Sequence, residues 1–382
     1  MLPMTGESHT AKEIFSQPQL WRETYESVRK RKDEIASFLN GIYETDHVRI
    51  LLTGAGSSAF VGEILQYSFH RNTGLMVKAV PTTDLVTHPA DFFQGKDPIL
   101  LISFARSGDS PESLAAAELA ERLNDRVYHL VITCNPRGNL VRRAAEFKRS
   151  FVFLLPEAAN DLALAMTSSF TCMTLAGLLI SDINRVEANA ASVEKLIALG
   201  EIILKQYDLK LDAISKLDFK RIVFLGSGPL KGTAKESHLK AIELTDGAIV
   251  CQYDSFLGFR HGPKAIINES TLLVYIFSSD PYVSGYEVDL VRSINQTEHF
   301  SCSIGIGQYG EPHQDMELDL SIDLGTGECI SDDFFAICSV LPAQILGYYK
   351  SVFLGLTPDS PSQNGGIHRI VQGVTIYPYQ NP

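Results

Sequence analysis

This sequence lacks paired cysteines, a basic charge balance and an apolar leader. Its six cysteines are scattered without a CxxC pair, which is typical of free thiols in a reducing compartment. The formal net charge is -12, whereas non-specific nucleic-acid binding needs a basic face. Residues 1–40 are polar and charged, unlike a secretory signal. We therefore predict a cytoplasmic protein with no nucleic-acid partner.

Signals for membrane insertion and for metal binding are equally weak. The apolar stretch 162–183 carries several hydroxyl side chains in its first half, so we expect a buried core helix and no membrane partner. No cluster of His, Cys or Asp has the spacing of metal ligands. We predict neither a metal nor another cofactor.

Strands and helices alternate along the chain, which predicts an α/β fold with parallel sheets. An amphipathic helix is expected over 13–39, before the first strand. The strands of the first half are expected at 48–52, 75–80, 99–104, 127–133 and 151–155.

The pattern then repeats after about 170 residues, a period as long as a whole domain. The strand 221–225 and its Gly-Ser-Gly turn match the strand 48–52 and the turn after it, and 271–277 matches 99–104. A further strand is expected at 300–304, and a short one near 373–377. We predict a duplicated domain, bounded as follows: an N-terminal helical segment 1–44, a first domain 45–200, a second domain 215–356 and a C-terminal tail 357–382.

The turn Ala105-Arg-Ser-Gly-Asp-Ser110 suits an anion. Ser110 precedes Pro111 and is a good N-cap, and Ser107 and Gly108 lie where the amides of a helix start point outward. Arg106 could add a charge-assisted bond, whereas Asp109 opposes an anion unless its side chain points away. From spacing alone, an ordinary capped turn and a phosphate site remain equally open.

The earlier turn, Gly54-x-Gly56-x-x-Ala59, also fits a dinucleotide fingerprint. That motif needs an acidic residue near the end of the second strand, but the first acid here is Asp84. A compact polar ligand beside Ser57 and Ser58 is therefore the better interpretation.

Taken in order, four motifs resemble the SIS (sugar isomerase) family over nearly the whole chain. They are Gly56-Ser-Ser58, Ser107-Gly-Asp-Ser110, Lys235-Glu236 and Arg260-His-Gly-Pro-Lys264. The longer strings FARSGDSPES, AMTSSFT and GFRHGPK resemble members that act in amino-sugar catabolism as galactosamine-6-phosphate deaminase/isomerases. The resemblance implies two tandem SIS domains, each with a five-stranded parallel sheet flanked by helices.

The resemblance also implies roles for individual residues. Glu236 would move a proton between C1 and C2 of the open-chain sugar. His261 would assist ring opening, either in its own site or in that of a neighbouring subunit. Because His261 can act in a neighbouring subunit, a homodimer or larger oligomer is expected. The residues expected to bind substrate and phosphate are Gly56, Ser57, Ser58, Arg106, Ser107, Ser110, Thr167 and Ser168. The first domain would then hold the phosphate and the second would supply the catalytic groups.

The residues themselves leave alternatives for these roles. Glu236 is either a solvated helix carboxylate beside Lys235 or a base tuned by burial, and Glu243 on the same helix is its nearest rival. His261 in its Gly-Pro loop is either a turn residue or a proton shuttle. His238 and His368 are weaker candidates.

The expected reaction converts an amino-sugar 6-phosphate, with galactosamine 6-phosphate favoured, to a keto-sugar 6-phosphate and ammonia. No cysteine precedes Cys134, so the nucleophile of an ammonia-supplying glutaminase domain is missing and breakdown is favoured over synthesis. One alternative is an aldose–ketose isomerase on a 6-phosphosugar such as tagatose 6-phosphate. A non-catalytic sugar-phosphate sensor is the other. Which C4 epimer is accepted stays open.

Overall fold

The computed structural model describes residues 8–308, 316–325, 327–371 and 373–380. These residues form two compact units, each assembled from three separate segments of the chain. The first-sheet unit comprises 23–160, 172–189 and 365–380. The second-sheet unit comprises the described residues of 8–22, 161–171 and 190–364. The linear domain limits expected from the sequence stay a prediction.

The first sheet is parallel throughout, with its most apolar strand in the middle. Within the described ranges it contains β1 (Arg49–Thr53), β2 (Met76–Ala79), β3 (Ile99–Ala105), β4 (Val127–Thr133) and β5 (Ser150–Leu154). Their order is β2-β1-β3-β4-β5. Every residue of β3 is buried, as expected for a strand covered on both faces.

Two helices precede β1, and further helices connect or follow the strands, as parallel sheets require. They are α1 (His9–Lys30), α2 (Lys32–Tyr43), α3 (Ser57–Thr73), α4 (Thr82–Thr87), α5 (Pro89–Phe93), α6 (Pro111–Leu123), α7 (Asn139–Ala144), a 3-10 helix (Glu157–Ala159) and α8 (Ser168–Ser181).

The second sheet has the same topology. Over the part of the chain that is described, it contains β6 (Arg221–Gly226), β7 (Val250–Asp254), β8 (Thr271–Ile276), β9 (Cys302–Gly307) and β10 (Leu320–Asp323). Their order is β10-β9-β8-β6-β7, which read from β7 repeats the order of the first sheet.

Along the chain, the remaining helices lie before, between or after the strands of the second sheet. They are a 3-10 helix (Ile183–Asn189), α9 (Ala190–Ile202), a π-helical turn (Ile203–Tyr207), α10 (Asp208–Ser215), α11 (Pro229–Leu244), α12 (Phe256–Phe259), a 3-10 helix (Pro263–Ile266), α13 (Pro281–Thr297), α14 (Asp332–Cys338) and α15 (Leu341–Phe353).

Register and backbone angles confirm the predicted duplication. Arg49 pairs with Ile99 across β1 and β3, and Arg221 pairs with Thr271 across β6 and β8 at the same separation along the chain. The glycines at the starts of α3 and α11 also match: Gly56 has φ +57 and ψ −130, and Gly228 has φ +54 and ψ −126. The tandem α/β fold with an N-terminal helix is therefore confirmed.

Several elements differ from the sequence prediction. The N-terminal helix is interrupted at Arg31, and the expected strand at 373–377 is wrong, because 373–380 is irregular backbone that includes Gly373 at φ +76. The sheet-edge strands β7 and β10 were not predicted, since β7 is at most half-buried and lacks an apolar pattern.

The stretch 162–183 contains the buried helix α8, as predicted. No helix among the described residues is long and apolar enough to cross a membrane.

A buried glutamate ties α1 to the segment that precedes α8. Glu13 Oε1 accepts hydrogen bonds from the amides of Leu162 at 2.5 Å and Ala163 at 3.2 Å. Burial, and then the nearby charges of Asp161 and Asp359, raise the pKa of Glu13 to about 7. The folded state therefore binds more protons than the unfolded state between pH 4.5 and 7, and this group makes stability fall as the pH rises through that range.

We expect Glu13→Gln to stabilise the protein at alkaline pH, because the amide oxygen still accepts both N–H groups and carries no charge. Its free energy of unfolding should exceed that of the wild type by about 1–3 kcal/mol at pH 8, and the two should converge near pH 4.5. Urea unfolding at both pH values measures this. The exposed Glu44→Gln is the control and should match the wild type, whereas a Glu13→Gln protein less stable than wild type at pH 8 contradicts the expectation.

Candidate functional site

Two glycine- and serine-rich loops meet at one edge of the first sheet. β1 and β3 are parallel neighbours, so the loops that follow them, 54–58 and 106–110, lie at the same carboxyl edge. At Gly54 a side chain would bring Cβ to 2.5 Å from the backbone of Ser58, so only glycine fits. Gly56 has positive φ, and Ser57 and Ser58 form the buried start of α3.

The 106–110 turn is held by backbone contacts to the loop before α7. Asn135 Nδ2 donates to the carbonyl of Ser107 at 2.8 Å, and the amide of Leu140 donates to the carbonyl of Gly108 at 2.9 Å. A Cβ on Gly138 would lie 2.4 Å from the Ser107 carbonyl oxygen, which requires glycine there. Gly108 has φ +67, a conformation that favours glycine. The turn is therefore rigid before any ligand arrives.

The side chain of Asp109 points away from the serines. Its Oδ1 accepts from the amide of Asn139 at 2.9 Å and so covers the start of α7. This removes the objection that the sequence raised against an anion at the turn. Ser110 occupies the N-cap position of α6 before Pro111, as predicted. Its hydroxyl does not cap a backbone amide, however, but lies 2.8 Å from Ser113 Oγ.

Arg106 is buried, and its guanidinium donates a hydrogen bond to the C-terminal segment of the same unit. Arg106 Nη2 donates to the carbonyl of Arg369 at 2.7 Å, and Arg369 Nη2 donates to Asn160 Oδ1 at 2.9 Å. A buried cation thus adjoins Ser107 in the chain, close to where an anion would gain most from it.

Thr167 and Ser168 lie at the start of α8, in contact with Asp161. Asp161 accepts from the amides of Thr167, Ser168 and Ser169 at 2.8, 3.1 and 2.9 Å. It also accepts from the Thr167 hydroxyl at 3.2 Å and from the hydroxyls of both serines. All four residues are buried. The carboxylate therefore satisfies the amides that begin α8.

A buried lysine joins the two glutamates that the sequence singled out on α11. Lys240 Nζ lies 3.3 Å from Glu236 Oε1 and 2.5 Å from Glu243 Oε2. The side chains of Lys240 and Glu236 are completely buried, whereas that of Glu243 is 21% exposed. Sequence reasoning missed Lys240, although its spacing of four and three residues from two carboxylates is the signal of a helical ion-pair network.

The histidines have different surroundings. His261 is exposed in the turn between α12 and the following 3-10 helix, where its amide donates to the carbonyl of Gly258 at 2.9 Å. The ring of His238 on α11 lies 4.8 Å from that of Tyr253 at an interplanar angle of 43°, and burial lowers the pKa of His238. His368 is exposed in the C-terminal segment. No group of three or more His, Cys, Asp or Glu in the described ranges could hold a metal ion.

Known proteins of similar sequence indicate the family of this chain. Residues 42–180 match the family model of the SIS domain. A protein of Streptomyces coelicolor that carries the name AgaS is 43% identical over 377 residues, covering 97% of this chain and 95% of that protein. A D-galactosamine-6-phosphate deaminase AgaS of Shewanella sp. (strain ANA-3) is 40% identical over 382 residues, covering 99% of this chain and 94% of that protein.

A solved structure extends the similarity to the whole fold. The tagatose-6-phosphate ketose/aldose isomerase from Escherichia coli has a TM-score of 0.91 and 36% identity, and the match covers 100% of both chains. The resemblance found in the sequence motifs is thereby confirmed along the full length. Sequence identity of 40% or more covers nearly the full length of both this chain and the two AgaS proteins. The chain therefore belongs to the AgaS family of SIS-domain proteins.

Proposed function

We propose that the chain is a D-galactosamine-6-phosphate deaminase/isomerase. The observation that carries this proposal is the near full-length similarity, at 40% identity, to a protein named as that deaminase. The rigid serine turn and the Glu-Lys-Glu network on α11 are the kinds of groups that the reaction needs: an anion cradle and a base.

The reaction requires two proton transfers followed by hydrolysis. In the open-chain sugar, the base takes the proton from C2 and returns it to C1, and a second proton moves from the C2 nitrogen to O1. Together these transfers turn the C1 aldehyde into an alcohol and the C2 amine into an imine. Water then adds to C2 and ammonia leaves, so the products are a keto-sugar 6-phosphate and ammonia. No oxidant or reductant is consumed.

A plain aldose–ketose isomerase is the second candidate, because the similar Escherichia coli structure bears the name of a tagatose-6-phosphate ketose/aldose isomerase. The proton transfer is the same in both reactions, and only the group on C2 differs. The two candidates therefore share the site and differ in whether ammonia is released.

The 106–110 turn is our candidate for the phosphate site, together with the loop 54–58. Gly56, Ser57 and Ser58 begin α3, where amides and the helix dipole favour an anion. Ser107 and Ser110 offer hydroxyls, and Arg106 offers a buried positive charge. Asp109 is engaged by Asn139, so it does not repel an anion at the turn.

Thr167 and Ser168 have a positioning role in this proposal. Their hydroxyl protons are donated to Asp161, so they orient the start of α8. Any contact with substrate would have to use their oxygen lone pairs.

The base is one of the two carboxylates held by Lys240. Glu236 is the residue that the sequence motif predicts. The burial pattern favours Glu243, because a base must touch the substrate and only the Glu243 side chain is partly exposed. Lys240 orients either carboxylate through its ion pair.

His261 is our candidate for assisting ring opening. Its side chain is exposed, which suits action in the site of a neighbouring subunit within a homodimer or larger oligomer. A monomer by analytical ultracentrifugation at assay concentration would exclude this sharing.

The substrate assignment is tested by measuring ammonia and keto-sugar phosphate together. Galactosamine 6-phosphate should yield both in equal amounts, with glucosamine 6-phosphate as the C4-epimer control. Interconversion of tagatose 6-phosphate and its aldose, with no ammonia from either amino sugar, would establish the second candidate.

Ser107→Ala should chiefly weaken substrate binding. Loss of a hydrogen bond to a charged phosphate costs about 1.5–3 kcal/mol, so KM should rise roughly 10- to 100-fold while kcat changes little. Ser279→Ala, the matched serine of the second repeat, should leave KM unchanged, since its hydroxyl donates to Asp332 at 3.0 Å. An unaltered KM in Ser107→Ala would remove this serine from the phosphate site.

Glu243→Gln and Glu236→Gln should separate the two carboxylates. Removing the base lowers kcat by about 10²- to 10⁴-fold and abolishes exchange of the C2 proton with D₂O, with KM nearly unchanged. We expect this for Glu243→Gln and a smaller effect for Glu236→Gln. The opposite ranking would assign the role to Glu236, and full activity in both variants would exclude the network as the base.

A further inference from the structure

The second sheet has its own pair of loops at the position of the phosphate turn. β6 and β8 are parallel neighbours, with Gly226 paired to Ile276, so the segments 226–228 and 277–280 lie at the same carboxyl edge. They correspond to 54–56 and 105–108 of the first repeat. Serines 227, 278 and 279 supply hydroxyls there, as serines do in the first repeat.

Amides and hydroxyls of these loops donate hydrogen bonds to two carboxyl groups of the same chain. Glu287 accepts from the amide of Ser278 at 2.8 Å, and the Ser227 hydroxyl acts to lower the pKa of this carboxyl. Asp332 accepts from the amide and the hydroxyl of Ser279, both at 3.0 Å, and from the hydroxyl of Ser278. Two amides and two hydroxyls therefore donate to this pair of carboxyl groups.

Burial and charge make this pair resemble a phosphate group. Glu287 is completely buried, and among the described residues its Oε1 has no hydrogen-bond partner. Burial first, and then the charge of Asp332, raise the pKa of Glu287 to about 7. Near neutral pH the Glu287 carboxyl is therefore only partly ionised, as is the second acid group of a phosphate monoester.

The first repeat differs at the position that matches Glu287. α6 and α13 both begin with proline, and counting from Pro111 and Pro281 places Ala117 where the second repeat has Glu287. Alanine brings no charge to the first turn. Asp109, the acidic residue within that turn, is directed to the amide of Asn139.

We propose that the second repeat contains an oxyanion site that its own carboxylates, Glu287 and Asp332, occupy in place of phosphate. The chain then binds one phosphate group per polypeptide although it carries two copies of the fold. The count of one rests on the phosphate turn proposed above. The closed second site rests on the contacts of Glu287 and Asp332 alone.

The test opens the second site by substitution and counts bound phosphate. The variant Glu287→Ala/Asp332→Ala removes both internal anions and gives position 287 the residue of the first repeat. Equilibrium dialysis with labelled inorganic phosphate should give one equivalent per chain for wild type and two for the double variant. Sulfate should compete, whereas chloride of equal ionic strength should not.

Ser107→Ala provides the matched background. Added to wild type, it should raise the phosphate Kd of the single site roughly 10- to 100-fold. Added to the double variant, it should weaken one of the two sites in the same way and leave the other unchanged. If Ser107→Ala does not affect wild type, the first-repeat assignment is wrong, and the comparison of double variant with wild type still decides the second site. One equivalent in a folded double variant, or two in wild type, would overturn the proposal.

Loss of the two carboxylates could also prevent folding in plain buffer. Phosphate, but not chloride, should then restore the circular dichroism signal and the cooperative thermal transition, because a ligand that binds only the folded state stabilises it. A double variant that stays unfolded at 100-fold the phosphate concentration that saturates wild type would likewise overturn the proposal.

Discussion

Amides and hydroxyls at strand ends and helix starts need an acceptor, and at several places in this fold a carboxylate of the chain meets that need. The first amides of a helix have no partner within the helix. Here aspartates supply it from elsewhere in the chain: Asp161 serves α8, Asp109 serves α7, and Asp359 accepts from the amides of His9 and Thr10 at the start of α1. Part of the excess negative charge of the sequence is thus internal and structural.

The two repeats meet this need in different ways, and in our proposal that difference separates the phosphate-binding turn from a structural one. In the second repeat Glu287 and Asp332 fill the space among the serines. In the first repeat Asp109 turns away, and Arg106 brings a positive charge next to Ser107. Duplication of a fold therefore does not imply duplication of a site, since one helix position occupied by alanine or by glutamate changes the local charge.

The network on α11 illustrates the opposite case, a buried cation between anions. Lys240 would be costly to bury alone, and two carboxylates compensate for its loss of hydration. Removing either glutamate takes one compensating carboxylate from the lysine, so effects of substitutions in this network are coupled.

The sequence by itself determined the α/β class, the duplication and the family, because these depend on local patterns: apolar strands, glycine turns and motifs in a fixed order. It also pointed to Ser107, Ser110 and Glu236 as candidates. It did not reveal the edge strand β7, whose residues lack an apolar pattern because the sheet covers only one of its sides. Only the tertiary structure decided where each charge is directed. Asp109 meets Asn139 across 30 residues, Asp332 meets Ser279 across 53, and Lys240 is closed off from solvent by packing around α11. Such pairings arise from distant segments brought together by the core, and no local pattern encodes them.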